Sequence, residues 1–280
     1  MIGFKLKKDL EQFFIEDIGC TDLSSELLFT GDTKAEAEVL VKEDGIFCGK
    51  DVIVKGFSLI DDQLSVEVYV EDGDPVHLGE VIASVKGRVS SILTAERVIL
   101  NMIQRMSGIS TMTKKAVETL NSKHTRICDT RKTTPGLRMY EKYAVRCGGG
   151  FNHRITLDGG VMLKDNHIAQ FGSIQKAVAH VRARLGHMTK IEVETGSEAE
   201  VYDAVKANAD IIMFDNCIPK DAAAYATLVP DHIVTEVSGG ITLENLAFYQ
   251  QAGIDYISLG CLTHSVNSLD ISLRMKGEVE

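Results

Sequence analysis

Tryptophan is absent from these 280 residues and proline occurs only four times. Pro-rich linkers and low-complexity tails are therefore not expected. The six cysteines, Cys20, Cys48, Cys128, Cys147, Cys217 and Cys261, are irregularly spaced and form no C-x-x-C pair. That argues against a zinc or disulfide framework and predicts reduced thiols. No stretch approaches 18 uncharged apolar residues, so no membrane span is expected. Lys5, Lys7, Lys8, Asp9 and Glu11 interrupt any signal-peptide core, and the expected location is the cytoplasm. Positive charge is also short: 30 Lys and Arg stand against 40 Asp and Glu, a net charge of −10. General nucleic-acid binders usually carry the opposite balance, so nucleic acid is not an expected partner.

What is present suits a chain with a real core. Hydrophobic residues make up 44% and charged residues 25%, and 280 residues suffice for one large domain or two ordinary ones. Leu6, Leu10, Phe13 and Phe14 share one helical face. Ala35, Ala37, Val39 and Val41, then Val66, Val68 and Val70, alternate with mainly polar neighbours and predict half-buried antiparallel strands. A helix is predicted from Thr94 to about Leu120, with Ile99, Met102, Ile103 and Met106 on one face. The chain then alternates strand and helix. Strand-like runs fall at 126–129, 161–164, 190–194, 211–215, 233–237 and 256–260. This pattern implies a parallel sheet, open or closed into a barrel.

Asp129, Lys164, Glu194, Asp215 and Ser238 each end an apolar run. In a βα barrel that end faces the active-site mouth. Between Arg126 and Lys164, eight basic and three acidic residues give a local charge of +5, which leaves −15 for the rest. Thr133-Thr-Pro-Gly136 and Gly148-Gly-Gly150 interrupt this basic run. Glycine permits close backbone approach, and arginine forks match carboxylate or phosphate. The combination predicts a pocket for a small, multiply anionic ligand.

A second anion site is predicted at Ser238-Gly-Gly-Ile-Thr242 and Gly260-Cys-Leu-Thr-His264, two loops after late strands. Glu194 and Asp215 end neighbouring strands. Such a pair can hold a divalent cation, bind sugar hydroxyls or stabilise a cationic sugar. Alternation puts Glu192 on the same face as Glu194, so pattern alone does not choose between them.

Asp129-Thr-Arg-Lys-Thr-Thr-Pro-Gly-Leu-Arg138 resembles the signature of the quinolinate phosphoribosyltransferase family. Glu141-Lys-Tyr-Ala-Val-Arg146, Gly148-Gly-Gly-Phe-Asn-His-Arg154, Lys164-Asp-Asn-His167, Glu96-Arg97 and Gln104-Arg-Met-Ser-Gly-Ile109 fit as well. So do Asp215-Asn216, Ser238-Gly-Gly-Ile-Thr242 and Leu262-Thr-His-Ser265. The similarity covers nearly the whole chain. One departure lies at Gly19-Cys-Thr-Asp-Leu-Ser-Ser25, where Thr21 stands at a position the family often fills with glycine.

The resemblance implies an α/β fold: a type II phosphoribosyltransferase, with an incomplete α/β barrel joined to an N-terminal α/β open-faced sandwich. The sandwich would span 1–108, with 266–280 returning to it, and the barrel 109–265. The implied reaction joins quinolinate to phosphoribosyl pyrophosphate, with Mg2+, and gives nicotinate mononucleotide, pyrophosphate and carbon dioxide. The family's clamp for quinolinate falls on Arg131, Lys132, His153, Arg154 and Lys164, and Thr130 is a further implied substrate-binding residue. Arg97 would enter from the partner of a homodimer or higher homo-oligomer. The ribose carboxylates fall on Glu194 and Asp215, which would also hold the metal through water. The 5′-phosphate loops fall on Ser238, Gly239, Gly240, Gly260 and His264. Lys132, Lys164, Glu194 and Asp215 are the implied catalytic residues. Two rivals are a pyrophosphorylase-like relative linked to molybdenum transport and a non-catalytic anion-binding protein. The complete Thr-Arg-Lys and Asn-His-Arg runs oppose the first, and the paired carboxylates oppose the second.

Overall fold

The computed structural model describes residues 3–29 and 32–278. The chain divides into two compact units. The first contains Met1–Met112, Met139–Gly149 and Val266–Glu280, the second Thr113–Arg138 and Gly150–Ser265.

The first unit opens with helix α1 (Gly3–Ile18), whose Leu6, Leu10 and Phe14 are buried at the four-residue spacing of one helical face. Asp22 then caps α2 (Leu23–Leu28) by accepting a hydrogen bond from Ser25 N. Strand β1 (Lys34–Val41) leads through the short β2 (Gly45–Ile46) to α3 (Lys50–Ile60). Strands β3 (Ser65–Val68), β4 (Pro75–Val76) and β5 (Val81–Arg88) follow. The long helix α4 (Val89–Leu120) starts five residues before the predicted Thr94.

β1 departs from the expected half-burial, because Glu38 and Leu40 on its supposedly open face are buried too. β1 is an interior strand, and Arg274 and Lys276 from the neighbouring strand extend to Glu38. Long basic side chains shield a carboxylate in this way while keeping it paired.

The second unit begins with β6 (Arg126–Cys128). Helix α5 (Arg138–Cys147) comes next but groups with the first unit, although the sequence reading put it in the barrel. The contacts explain this. Tyr140 Oη donates to Asp9 Oδ2 at 2.7 Å, Tyr143 Oη donates to Asp72 Oδ2 at 2.6 Å, and Arg105 pairs with the buried Glu141 at 2.6 Å. The chain returns for β7 (Val161–Leu163), α6 (Asp165–Phe171), α7 (Ile174–Arg182) and β8 (Ile191–Thr195). It continues through α8 (Glu198–Lys206), β9 (Ile211–Asp215), α9 (Pro219–Ala226), β10 (Val234–Ser238) and α10 (Leu243–Leu246). β11 (Tyr256–Ser258) and α11 (Cys261–His264) complete the unit.

Its six strands form one parallel sheet in the order β6-β11-β10-β9-β8-β7. This is the cyclic order of a barrel with one seam open, since no ladder joins β6 to β7 among the described residues. The incomplete α/β barrel is therefore present. Ile127, Leu163, Val193, Ile212, Phe214, Val237 and Ile257 are buried on its strands.

Strand β12 (Ile271–Glu278) returns to the first unit. It pairs antiparallel with β1, and the four-stranded sheet reads β12-β1-β5-β3. Gly108 of α4 permits the crossing that precedes it: a Cβ there would lie 2.1 Å from Asn267 O.

Candidate active site

All six barrel strands run parallel, so their C-terminal ends share one rim. A cavity of about 470 Å³ opens there. Thr130, Arg131 and Lys132 line it from the loop after β6, and His153 and Arg154 from the stretch that precedes β7. Lys164 follows β7, while Glu194 and Asp215 lie at the ends of β8 and β9. Ser238, Gly239 and Gly240 complete the predicted set at the end of β10.

Three predicted residues are not in this wall. Gly260 and His264 stand just behind it: a Cβ on Gly260 would lie 3.1 Å from Lys132 Cδ and 3.0 Å from His264 Cδ2. Thr263 Oγ1 donates to Lys132 O at 2.8 Å and ties their loop to the lysine. Arg97 belongs to α4 in the first unit, where its exposed side chain comes within 4.0 Å of Glu96.

The basic run also separates. Arg131, Lys132, Arg154 and Lys164 reach the cavity, whereas Lys142 and Arg146 belong to α5. Arg126 stacks over Phe151, 4.7 Å from the ring centroid, and Arg138 donates to Thr133 Oγ1 and Ile155 O.

Asp129 lies below the rim rather than in the wall. It is fully buried and accepts from Asn152 Nδ2 at 2.6 Å and from His153 N at 2.9 Å. This latch sets His153 and Arg154 beside Arg131. Arg131 Nε and Arg154 Nε are both buried without a protein acceptor. Burial, followed by the nearby Arg131 charge, lowers the Arg154 pKa from the usual arginine range.

Opposite charge sits within the same cavity. Lys164 Nζ lies 2.6 Å from Glu194 Oε2, and Asn216 Nδ2 donates to Asp215 Oδ2 at 2.7 Å. Gly239 has φ +92, and a Cβ there would lie 2.5 Å from Asn216 Oδ1 and 2.9 Å from Asn216 N. Only glycine fits that turn without strain. Glu194 and Asp215 offer hard oxygen donors, which suits Mg2+ held through water beside a diphosphate.

The strand-end reading missed Glu236, while of the two glutamates it left open on β8, Glu194 lines the cavity and Glu192 lies buried beneath it. Glu236 is buried too, and it joins the cavity floor. His153 Nε2 lies 3.0 Å from Glu192 Oε2 and 3.8 Å from Glu236 Oε1. Burial, reinforced by the Glu192 charge, pushes Glu236 up to about 7, against the opposing influence of His153 and Ser258. The available signal for Glu236 was the two-residue period, which puts it on the same strand face as Ser238.

Comparison with known proteins agrees across the whole chain. Residues 22–107 match the quinolinate phosphoribosyl transferase N-terminal domain, and residues 109–274 match its C-terminal domain. The chain belongs to the quinolinate phosphoribosyltransferase family. Among curated members, the probable nicotinate-nucleotide pyrophosphorylase [carboxylating] of Bacillus subtilis is 54% identical over 98% of this chain and 94% of that protein. The Synechocystis protein of the same description is 40% identical over 95% and 91%. The crystal structure of NadC from Streptococcus pyogenes superposes with a TM-score of 0.96 at 39% identity, covering 100% of this chain and 99% of that one. The family's two domain models meet inside α4, and the C-terminal model runs on into β12, which the fold assigns to the first unit.

Proposed function

We propose that this chain transfers the phosphoribosyl group of phosphoribosyl pyrophosphate to the ring nitrogen of quinolinate. Decarboxylation follows, giving nicotinate mononucleotide, pyrophosphate and carbon dioxide, a step of de novo NAD synthesis. One observation carries this reading beyond family membership. Four cationic side chains, two of them with orphaned guanidinium donors, share a single cavity with Glu194 and Asp215.

Quinolinate carries two adjacent ring carboxylates. Arg131 and Arg154 suit them as planar forks, and Lys132 and Lys164 as point charges. Thr130 and His153 stand in the same wall. His153 accepts a bond from Arg154 N at Nδ1 and faces Glu192 through Nε2, so its part is to hold the arginine segment in place. Clamping both carboxylates fixes the ring nitrogen in line with the sugar carbon. Positioning of this kind contributes up to about 7–11 kcal/mol to rate enhancement.

As the diphosphate departs, the sugar becomes oxocarbenium-like. Glu194 and Asp215 stabilise that positive charge and bind the ribose hydroxyls. The Ser238, Gly239 and Gly240 backbone, backed by Gly260 and His264, receives the 5′-phosphate. Glu194 and Asp215 would hold Mg2+ through water, and the ion would supply positive charge to offset that of the pyrophosphate. Arg97 acts in the site of a partner subunit, which makes the working form a homodimer or a higher homo-oligomer. No helix among the described residues is long and apolar enough to cross a membrane, and a cytoplasmic location is in keeping with that.

The test mixes the protein with quinolinate, phosphoribosyl pyrophosphate and Mg2+ and follows carbon dioxide. Release that depends on all three supports the reading. No release, or equal release with nicotinate as with quinolinate, overturns it.

A further inference from the structure

The barrel contains a second cavity, of about 310 Å³. Val161, Ile211, Val234 and Tyr256, the first residues of β7, β9, β10 and β11, line it. It therefore lies at the opposite end of the strands from the mouth. His153, Arg154 and Glu236 line both cavities. These three side chains are the partition between them.

The partition has a defined hydrogen-bond order. Arg154 N donates to His153 Nδ1 at 2.9 Å, which leaves the ring proton on Nε2. That nitrogen faces Glu192 Oε2 at 3.0 Å and Glu236 Oε1 at 3.8 Å. Ser258 Oγ donates to Glu236 Oε1 at 2.5 Å. The groups acting on Glu236 are Glu192 on β8, His153 in the stretch before β7, and Asp129 after β6. Two carboxylates buried side by side do not both ionise readily. Burial and the Glu192 charge raise the proton affinity of Glu236, to about 7.

The reaction proposed above, on which this inference rests, consumes a proton, and Glu236 on the cavity floor is a group able to give it. When the bond from C2 of the ring to its carboxylate breaks, carbon dioxide leaves and the electron pair stays on C2. The adjacent alkylated nitrogen stabilises it, and C2 must then gain a proton. Arg131 and Arg154 are too basic to donate readily, and Lys164 is paired with Glu194. A protonated Glu236 on the cavity floor also adds no repulsion to a dianionic substrate, whereas an ionised one would.

We propose that Glu236 is the acid that protonates C2 after carbon dioxide leaves, and that the rear cavity is the route by which it regains its proton. The O–H bond of Glu236 breaks as the C2–H bond forms. The resulting carboxylate takes a proton from water in the rear cavity, so each turnover removes one proton from solution. Entry from the rear matters because two anionic substrates fill the mouth.

The experiment compares pyrophosphate and carbon dioxide in single turnovers of the unaltered protein, Glu236→Gln and Glu236→Asp. With Glu236→Gln, pyrophosphate release should stay within about fivefold, while carbon dioxide release slows by about 10²-fold or more and the carboxylated nucleotide accumulates. Glu236→Asp, which keeps an acid, should recover most of that loss. In the unaltered protein, carbon dioxide release should fall above about pH 7 while pyrophosphate release does not. If Glu236→Gln yields carbon dioxide and pyrophosphate together at the unaltered rate, the inference is overturned. Should that variant fail to fold, a flat carbon dioxide profile from about pH 6 to 8.5 in the unaltered protein overturns it equally. Absence of both products from the unaltered protein instead refutes the parent reaction, and this inference with it.

Discussion

Lys164 Nζ lies 2.6 Å from Glu194 Oε2, joining the residue after β7 to the end of β8 across the cavity wall. In the proposed reaction the pair sets a substrate-clamping cation against a ribose-binding carboxylate. Lys164→Ala and Glu194→Gln should therefore be non-additive. Each single change should lower kcat/KM by about 10-fold or more, and the double variant should lose less than the product, by a coupling of about 0.5–3 kcal/mol. Purely additive losses would show that the two residues act independently.

Arg131→Ala removes a carboxylate fork whose Nε has no protein acceptor. Charge-assisted hydrogen bonds contribute about 1.5–3 kcal/mol, so kcat/KM for quinolinate should fall by roughly 10- to 100-fold. Affinity for phosphoribosyl pyrophosphate should change little. Steady-state kinetics with each substrate varied in turn checks both.

Asp215→Ala should leave quinolinate binding largely intact and lower turnover, because in the proposed reaction the carboxylate serves the sugar in the transition state. Calorimetric titration with quinolinate, beside a kcat measurement, separates the two effects. A collapse in quinolinate affinity would move Asp215 to the clamp.

Gly108→Ala should destabilise the protein although alanine is the better helix former. The added Cβ would meet Asn267 O at 2.1 Å and the Ser268 Cα at 3.0 Å, both backbone atoms that resist displacement. Overpacking of this kind costs about 1–3 kcal/mol. A thermal melt in which the variant matches or exceeds the parent would contradict the close crossing.

Glu38 links stability to pH. Hydrogen bonds from Lys276 and Arg274 hold its carboxyl below the ordinary value of 4.5. The folded state binds a proton there less readily than the unfolded chain does. Its contribution is therefore fully present above about pH 4.5 and fades as pH falls through the lower, folded value. Denaturant melts of the parent and of Glu38→Gln should differ at neutral pH and converge in acid. A constant difference down to about pH 3 would remove Glu38 from this role.

The barrel was legible because its strands are short apolar runs with polar ends, and the cavity collects Lys164, Glu194 and Asp215 from three of those ends. Two things stayed hidden. One was the path of α5: local charge made Lys142 and Arg146 look like neighbours of Arg131, whereas Tyr140, Glu141 and Tyr143 make long-range contacts within the other unit. The other was the buried polar layer. Glu236 sits mid-strand among Thr235 and Val237, and a lone mid-strand acid reads as solvent-facing. In this barrel the solvent-facing side of a short strand can be the interior of the site.

The pairing of β12 with β1 carries a consequence for how the protein is made. Residues 34–41 leave the ribosome more than two hundred residues before 271–278, their neighbours in the sheet. Until residues 271–278 emerge, one edge of β1 lacks this backbone partner, and Glu38 lacks Arg274 and Lys276. The barrel is synthesised in the interval, so the second unit can mature before the first is complete. A nascent chain of this kind presents an open strand edge while the barrel is made, the feature that invites mispairing between chains. The lysine and arginine of β12 thus arrive as the closing members of a sheet begun more than two hundred residues earlier.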